Sequence, residues 1–380
     1  MSYDVTLLGA TGFAGRLTAE YVAANAPSSL RWAIAGRDPA ALESLQAKLA
    51  ALGNAPDVVR VDIADQASVR SAADQTKVLA STVGPYIEYG EAAVAACAEA
   101  GTDYCDLTGE PEFVDRMWLA YDALARRTGA RLVHACGFDS IPYDLGAFYT
   151  VSQLPDDVPI TVRGFVTASA GVSGGTYQSA IHGMSRVRQS AAVGSQRRER
   201  EARPTDRRVA PLPSRPVRGP AGRGWGLPMP TLDPVIVRRS ARVLDTYGPD
   251  FSYGQYALFR HLPVAAGTTI GLGGLLMASQ VPPVRKALLR IKRAGDGPSP
   301  EQRSRSWYRV RFVGEADGQT VTTQVSGGDP GYDETARILG ESMLCLASDD
   351  LPERAGQLTT AVAMGEPLLA RLGFAETVAN

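Results

Sequence analysis

The run Gly9-Ala10-Thr11-Gly12-Phe13-Ala14-Gly15 has the residue types and spacing that bring a backbone up against a phosphate. Gly9 permits a tight turn, Gly12 lets the main chain approach a pyrophosphate, and Gly15 lets a helix pack closely on a strand. A helix opening at such a loop offers free N–H groups and a partial positive charge. Glycine patterns alone are weak signals, so the flanking elements decide. Val5-Thr6-Leu7-Leu8 reads as a strand buried on both faces, and Ala14, Leu17, Thr18, Tyr21 and Val22 recur behind the loop at helical spacing. The expected ligand is a dinucleotide.

The end of the second strand bears on which dinucleotide. A binder of the unphosphorylated form places Asp or Glu there for the ribose 2′-hydroxyl. Here the strand ends Ala35-Gly36-Arg37. Arg37 can hold a 2′-phosphate through charge-assisted contacts, and Gly36 keeps side-chain atoms out of the way. Asp38 competes, but its place before Pro39 suits a helix cap. The expected cofactor is therefore NADP(H). Asp62 has two readings, an adenine contact or a turn former.

Other candidates lie beyond later strands. Thr82, Val83, Gly84 and Pro85 follow strand four and are expected against the nicotinamide end of the cofactor. Tyr86 comes next, a neutral phenol with an ordinary pKa of ~10, able to donate to a carbonyl or enolate oxygen or simply to wall the ring. Asp139, Ser140 and Tyr143 follow strand six: Asp139 as orienting group, donor or helix cap, Tyr143 as a further catalytic candidate, Ser140 as a substrate contact. Ser173-Gly174-Gly175-Thr176 is either a backbone N–H nest for a substrate oxygen or a plain turn. No metal is expected, since His134 and Cys136 alternate on one strand without a further ligand. No nucleophile elbow points to hydrolysis.

Positioning these residues falls to alternating strands and helices. Strands are expected at Tyr3–Leu8, Leu30–Ala35, Asp57–Val61, Lys77–Ala80, Tyr104–Cys105 and Ala130–His134, with helices between them. The second of these helices starts at the Asp38 cap, and another stops at Gly101. That alternation implies an α/β fold with a doubly wound parallel sheet and ligands at the carboxyl ends of its strands. Ile160–Val166 and Trp307–Val313 alternate like strands of a second sheet. The expected division is a Rossmann domain over 1–136, a second α/β domain with a mixed sheet over 137–330, and a C-terminal helical segment over 331–380.

With 380 residues, two domains are the default. The 39 basic and 40 acidic residues leave a formal charge of −1, which argues against a nucleic-acid partner. Four cysteines without a C-x-x-C pair, and a strand-like start instead of a signal core, fit a cytoplasmic protein. Residues 186–225, rich in Arg, Pro and Gly, read as an irregular solvated excursion or as a docking surface for an acidic partner such as an acyl carrier protein. Ala265–Ala278 is apolar and glycine-rich and precedes Arg285, Lys286, Arg290, Lys292 and Arg293. It is too short to span a bilayer and reads as a core helix, a lid, or a peripheral membrane contact. A homodimer is left open.

The blocks Ser81-Thr82-Val83-Gly84-Pro85-Tyr86, Tyr104 to Glu110, His134 to Asp144, Ser173 to Thr176, and Gly331-Tyr332 ahead of Thr335 and Glu341 occur in a telling order. In it the chain resembles the saccharopine dehydrogenase-like oxidoreductases, closest to the actinobacterial trans-acting enoyl reductases that act on polyketide-derived lipids. The resemblance runs to about Leu346 and is weakest around 190–230. It implies that the second domain packs over the nicotinamide end and that a late helix returns to the first. It further implies NADPH-dependent reduction of a conjugated C=C bond in a hydrophobic, acyl-type substrate. The alternatives are an imine or 2-oxo acid oxidoreductase, disfavoured because the substrate-side blocks contain no Arg or Lys for a carboxylate, and a non-catalytic NADP-binding protein associated with a carrier or lipid.

Overall fold

The computed structural model describes residues 1–169, 174–291 and 298–378. Two compact units emerge: Met1–Asp139, Val193–Arg197 and Gly331–Leu372 make the first, and Ser140–Ala192, Arg198–Pro330 and Gly373–Asn380 the second.

The chain begins with β1 (Tyr3–Leu8), α1 (Phe13–Asn25), β2 (Trp32–Gly36), α2 (Pro39–Leu49), β3 (Asp57–Arg60) and α3 (Gln66–Gln75). Next come β4 (Thr76–Ser81), α4 (Tyr86–Tyr89), α5 (Glu91–Ala100), β5 (Asp103–Asp106), α6 (Pro111–Thr128) and β6 (Arg131–Val133). Local chemistry sets the helix ends. The Asp38 carboxylate accepts from Ala41 N at 3.2 Å and Asp65 from Ala67 N at 3.0 Å, each satisfying an N–H that the first turn leaves unpaired. Gly101 closes α5 in the left-handed region at φ 74°.

The second unit holds α7 (Ile141–Val151), β7 (Ile160–Ser169), α8 (Gly174–Ser185), α9 (Val187–Arg200), β8 (Arg208–Pro211), β9 (Val217–Arg218), β10 (Trp225–Pro228) and α10 (Asp233–Ala241). Of α9, residues Val193–Arg197 cluster with the first unit. Then follow β11 (Asp250–Phe259), α11 (Leu262–Ser279), α12 (Pro282–Ile291), α13 (Pro300–Ser304), β12 (Trp307–Ala316) and β13 (Gln319–Gly327). In β12, Tyr308, Val310, Phe312 and Ala316 are buried, whereas Trp307, Arg309, Arg311 and Glu315 are exposed, the period-two pattern of a sheet covered on one face. Asp317 and Gly318, both at positive φ, turn β12 into β13 as an Asp-Gly hairpin.

The last elements are α14 (Asp333–Ser348), β14 (Gly356–Leu358), α15 (Thr360–Ala363), α16 (Gly365–Leu372) and β15 (Ala375–Thr377). The first unit's seven strands run parallel in the order β14-β6-β5-β4-β1-β2-β3, the expected doubly wound sheet, with α14 packed on α1. The second unit's sheet is mixed, in the order β15-β13-β12-β7-β11-β10-β9 with β8 beside β11; β7 and β8 pair parallel to β11, and the other pairings are antiparallel.

Two expectations need correction. Residues 186–225 are not an irregular excursion: they carry α9, two short strands, a 3-10 turn and the start of β10, and Arg197 in their densest basic patch is buried. The apolar stretch is a longer helix, Leu262–Ser279, and it is not a core helix, because only 11% of it is buried. Of the basic residues that follow it, Lys292 and Arg293 lie outside the described residues.

Candidate cofactor and active site

The site in the first unit is built around the β1–α1 loop. Gly9 stands at φ 84°, a conformation that a Cβ strongly disfavours, and its N–H donates to Ala35 O at 2.9 Å. A Cβ on Gly15 would lie 2.2 Å from Gly9 O, so helix and loop can close only around glycine. Ala10 is buried beneath the turn, while Thr11 and Gly12 are exposed above it. Gly12 is the N-cap of α1 and makes no side-chain cap, which leaves the first N–H groups of a 13-residue helix for an anion. Phe13 opens that helix with its ring 4.3 Å, centroid to centroid, from Tyr332. Thr82 braces the loop from β4: its hydroxyl reaches Leu8 O and Gly9 O, both at 3.1 Å.

Arg37 is exposed just past β2 and makes no ion pair or hydrogen bond among the described residues. Beside it, a Cβ on Gly36 would meet only ordinary contacts, the nearest at 3.7 Å, so packing does not demand glycine there. The bare backbone next to an uncommitted guanidinium fits a 2′-phosphate. Asp38, the competing acid, is occupied as the α2 cap. Asp62 is half-buried and accepts from Ala64 N at 3.1 Å, the turn-forming arrangement.

At the carboxyl ends of β4 to β6, Val83 and Pro85 are half-buried and Gly84 is exposed. Glu110 accepts from Tyr86 N at 3.1 Å and Ile87 N at 2.8 Å, holding the turn after Pro85; desolvation raises its carboxyl above the usual range despite these bonds. Tyr86 is buried. Its hydroxyl donates to Ser81 O at 2.9 Å and accepts from Leu107 N at 3.1 Å, so its proton is committed to the fold and the donor reading does not carry forward.

Asp139 differs. Its side chain is open at the surface, yet the density of protein around it desolvates the carboxyl and raises it to about 6. It makes no hydrogen bond or ion pair among the described residues, and a Cβ on Gly109 would stand 2.8 Å from its Oδ2, so glycine at 109 leaves it room. Nor does it cap α7, whose N-cap is Ser140. The loop it sits on is held by Thr335 of α14, whose Oγ1 accepts from Phe138 N at 3.2 Å.

In the second unit, Ser140 is buried with its hydroxyl toward Asp233 Oδ1 at 3.5 Å. The other Asp233 oxygen accepts from Thr231 at 2.6 Å and Gln255 at 3.0 Å. That enclosed network takes Ser140 out of a direct substrate role. Tyr143 is buried in the first turn of α7. Ser173 lies outside the described residues, and Gly174, Gly175 and Thr176 begin α8 rather than a turn.

Sequence reasoning missed the buried pair under the β5 and β6 ends. Asp106 Oδ2 lies 2.7 Å from His134 Nδ1 and accepts from the Tyr104 hydroxyl, while Oδ1 accepts from Ala135 N and Thr108 N. With four contacts the carboxylate is an acceptor, so the Nδ1 side of the imidazole faces it as donor, and Nε2 is buried without a hydrogen-bond partner among the described residues. The available signal was that both residues lie at the carboxyl ends of expected strands, Asp106 closing β5 and His134 following β6.

Residues 5–133 match the family model described as the saccharopine dehydrogenase NADP binding domain. A putative trans-acting enoyl reductase of Mycobacterium tuberculosis is 35% identical over 407 aligned positions, covering 97% of this chain and 95% of the relative. A trans-acting enoyl reductase of Mycobacterium ulcerans is 34% identical over 404 positions, with 97% and 95% covered. Among solved structures, apo saccharopine dehydrogenase (L-Glu forming) from Saccharomyces cerevisiae superposes with a TM-score of 0.57 at 13% identity, over 99% of each chain, a likeness of fold. The first unit is thus an NADP-binding domain.

Proposed function

Starting from a chain that belongs to the trans-acting enoyl reductases of the saccharopine dehydrogenase-like family, we propose that it reduces a conjugated C=C bond of a hydrophobic, acyl-type substrate with NADPH, and that Asp139 supplies the proton. The observation that carries the reading is likeness along 97% of the chain to relatives named for enoyl reduction. NADPH, when bound, supplies a hydride for the β-carbon. The chain then has to hold the cofactor, exclude water and deliver one proton to the enolate.

Gly9, Ala10, Thr11, Gly12, Phe13 and Gly15 hold the pyrophosphate, Arg37 the 2′-phosphate, and Thr82 to Pro85 flank the nicotinamide. Asp139 is an accessible acid beyond β6 with no ion pair among the described residues, and a carboxyl near 6 keeps a usable protonated fraction close to neutrality. After transfer, water restores its proton. A carrier-bound acyl chain is the natural form of such a substrate for an enzyme that acts in trans. The four cysteines are free and buried, which supports a reducing, cytoplasmic setting.

Steady-state NADPH oxidation tests this with an enoyl thioester against a 2-oxo acid plus amine. Turnover with the enoyl thioester, reduced about 10²-fold or more by Asp139→Asn at unchanged NADPH affinity, is expected. Turnover with the imine-forming pair alone would replace the reading by C–N chemistry, and an Asp139→Asn enzyme of full activity would move the proton donor elsewhere.

A further inference from the structure

The second unit carries a surface that the reductase reading does not use. Helix α11 contains no charged residue, yet Ile270 is 76% and Met277 70% exposed, and Leu262, Val264 and Leu272 are exposed with them. Within α11 only Ala265 and Ser279 are buried, one near each end, where the helix rests on its neighbours. It packs against α8 and α12, and Gln280 Nε2 ties its C-terminal end to Met184 O at 2.6 Å. Gly267, Gly271, Gly273 and Gly274 face open space at their Cβ positions. Two residues on, α12 sets Arg285, Lys286 and Arg290 beside exposed Val284 and Ile291. From Arg260 to Ile291 there is no acidic residue.

We propose that α11 and α12 dock the second unit on an anionic lipid bilayer. A helix apolar on all sides belongs in a protein core or in lipid, and the exposure of α11 removes the first. A second copy of the chain would cover one side of α11 and, in a twofold contact, set the Arg285, Lys286 and Arg290 flank, which makes no ion pair among the described residues, against its own copy. A bilayer covers every exposed side, and anionic headgroups neutralise Arg285, Lys286 and Arg290. Because both ends of α11 stay anchored on protein, the helix lies in the acyl boundary along the surface and does not cross. This goes beyond the reductase reading and is independent of which bond is reduced.

Flotation with vesicles of phosphatidylcholine, with and without phosphatidylglycerol, reads it directly on the full chain. The wild type floats with phosphatidylglycerol vesicles at low salt and loses most of that binding at high salt. Ile270→Glu with Leu272→Glu abolishes flotation while NADPH binding in the first unit is unchanged, the check that the variant is folded. Arg285→Gln, Lys286→Gln and Arg290→Gln together lower partitioning on the order of a hundredfold, about fivefold each. A wild type that floats with neither vesicle overturns the proposal, as does a double Glu variant that floats equally well. So does a solution dimer that Ile270→Glu dissociates without any vesicle binding, which would make a second copy the occupant.

Discussion

Between Gly9 and Gly15 an added Cβ collides with the chain's own backbone, 2.2 Å from Gly9 O at Gly15, whereas at Gly267, Gly271, Gly273 and Gly274 it meets nothing within 4 Å. Both stretches read as apolar and glycine-rich. In the first, Gly9 and Gly15 answer steric demands made by the fold itself, whereas at Gly12 the nearest atom to an added Cβ is 3.3 Å away. In the second the protein makes no such demand, and the apolar residues interleaved with those glycines are left in the open. Glycine therefore reports a close approach only where something approaches. The two arginine-bearing segments divide similarly: Arg197 is buried, 3.1 Å from Asp115 and stacked over Trp118, while Arg37 stands exposed and uncommitted.

The contrast is broken most violently at Gly15. Gly15→Val places branched atoms where 2.2 Å is available, so cofactor binding should be lost and stability should fall by ~3 kcal/mol or more. Calorimetry with NADPH and urea unfolding measure both; a variant that binds normally would mean the loop relaxes and the demand is not real. Arg197→Ala comes next. It removes the guanidinium from the buried Asp115 carboxylate and from the face of Trp118, and a loss of about 3 kcal/mol in urea unfolding is expected. A change below ~1 kcal/mol would return this stretch to the solvated surface that its composition suggests.

Arg37→Ala should leave the fold unchanged, since the side chain has no partner among the described residues. Its expected effect is confined to the ligand: NADPH binding weakened by about 1.5–3 kcal/mol, with NADH unaffected. Equal losses for both cofactors would show that Arg37 does not read the 2′-phosphate.

Asp139 gives a smaller but signed effect. Desolvation raises its carboxyl from 3.8 to about 6, and the protonated form is the donor. The free enzyme's kcat/KM should therefore be level below pH 6 and fall about tenfold per unit above it, and Asp139→Asn should remove that inflection. Stability follows the same direction. Between pH 3.8 and 6 the folded chain holds a proton that the unfolded chain releases, so Asp139 favours folding as pH falls and disfavours it above 6. Asp139→Asn should be slightly more stable than wild type at pH 8 and indistinguishable at pH 3, with solvent access keeping the gain small.

What the sequence revealed was what is local. Alternating strand and helix, the Asp38 and Asp65 caps, the Gly101 stop and the first loop are each decided within a few residues, and they are legible there. What it hid depends on partners far along the chain. Ser140 is taken by Asp233, 93 residues on, and Arg197 by Asp115, 82 residues back. The Asp106–His134 pair spans 28 residues and forms only because β5 and β6 are neighbours in the sheet. Tyr86 looked like a free phenol because nothing in V-G-P-Y tells that Ser81 O and Leu107 N close on its hydroxyl. The exposure of α11 was hidden for the opposite reason: apolar composition predicts burial, and only the surrounding fold shows that the described residues of this chain leave it open.

The smallest effect isolates that last point. Gly271 sits inside α11 with open space at its Cβ position, so Gly271→Ala carries no steric cost and removes the backbone entropy that glycine loses in a helix. A gain of roughly 0.5–1 kcal/mol follows if α11 is formed in the free protein, with NADPH binding untouched. A loss would mean that glycine at 271 is needed for a close approach by another protein surface, which would favour a second copy over lipid as the cover of this helix. A null result would mean that α11 is not helical until something covers it, so the ordering of the helix would belong to the docking step and not to the isolated fold.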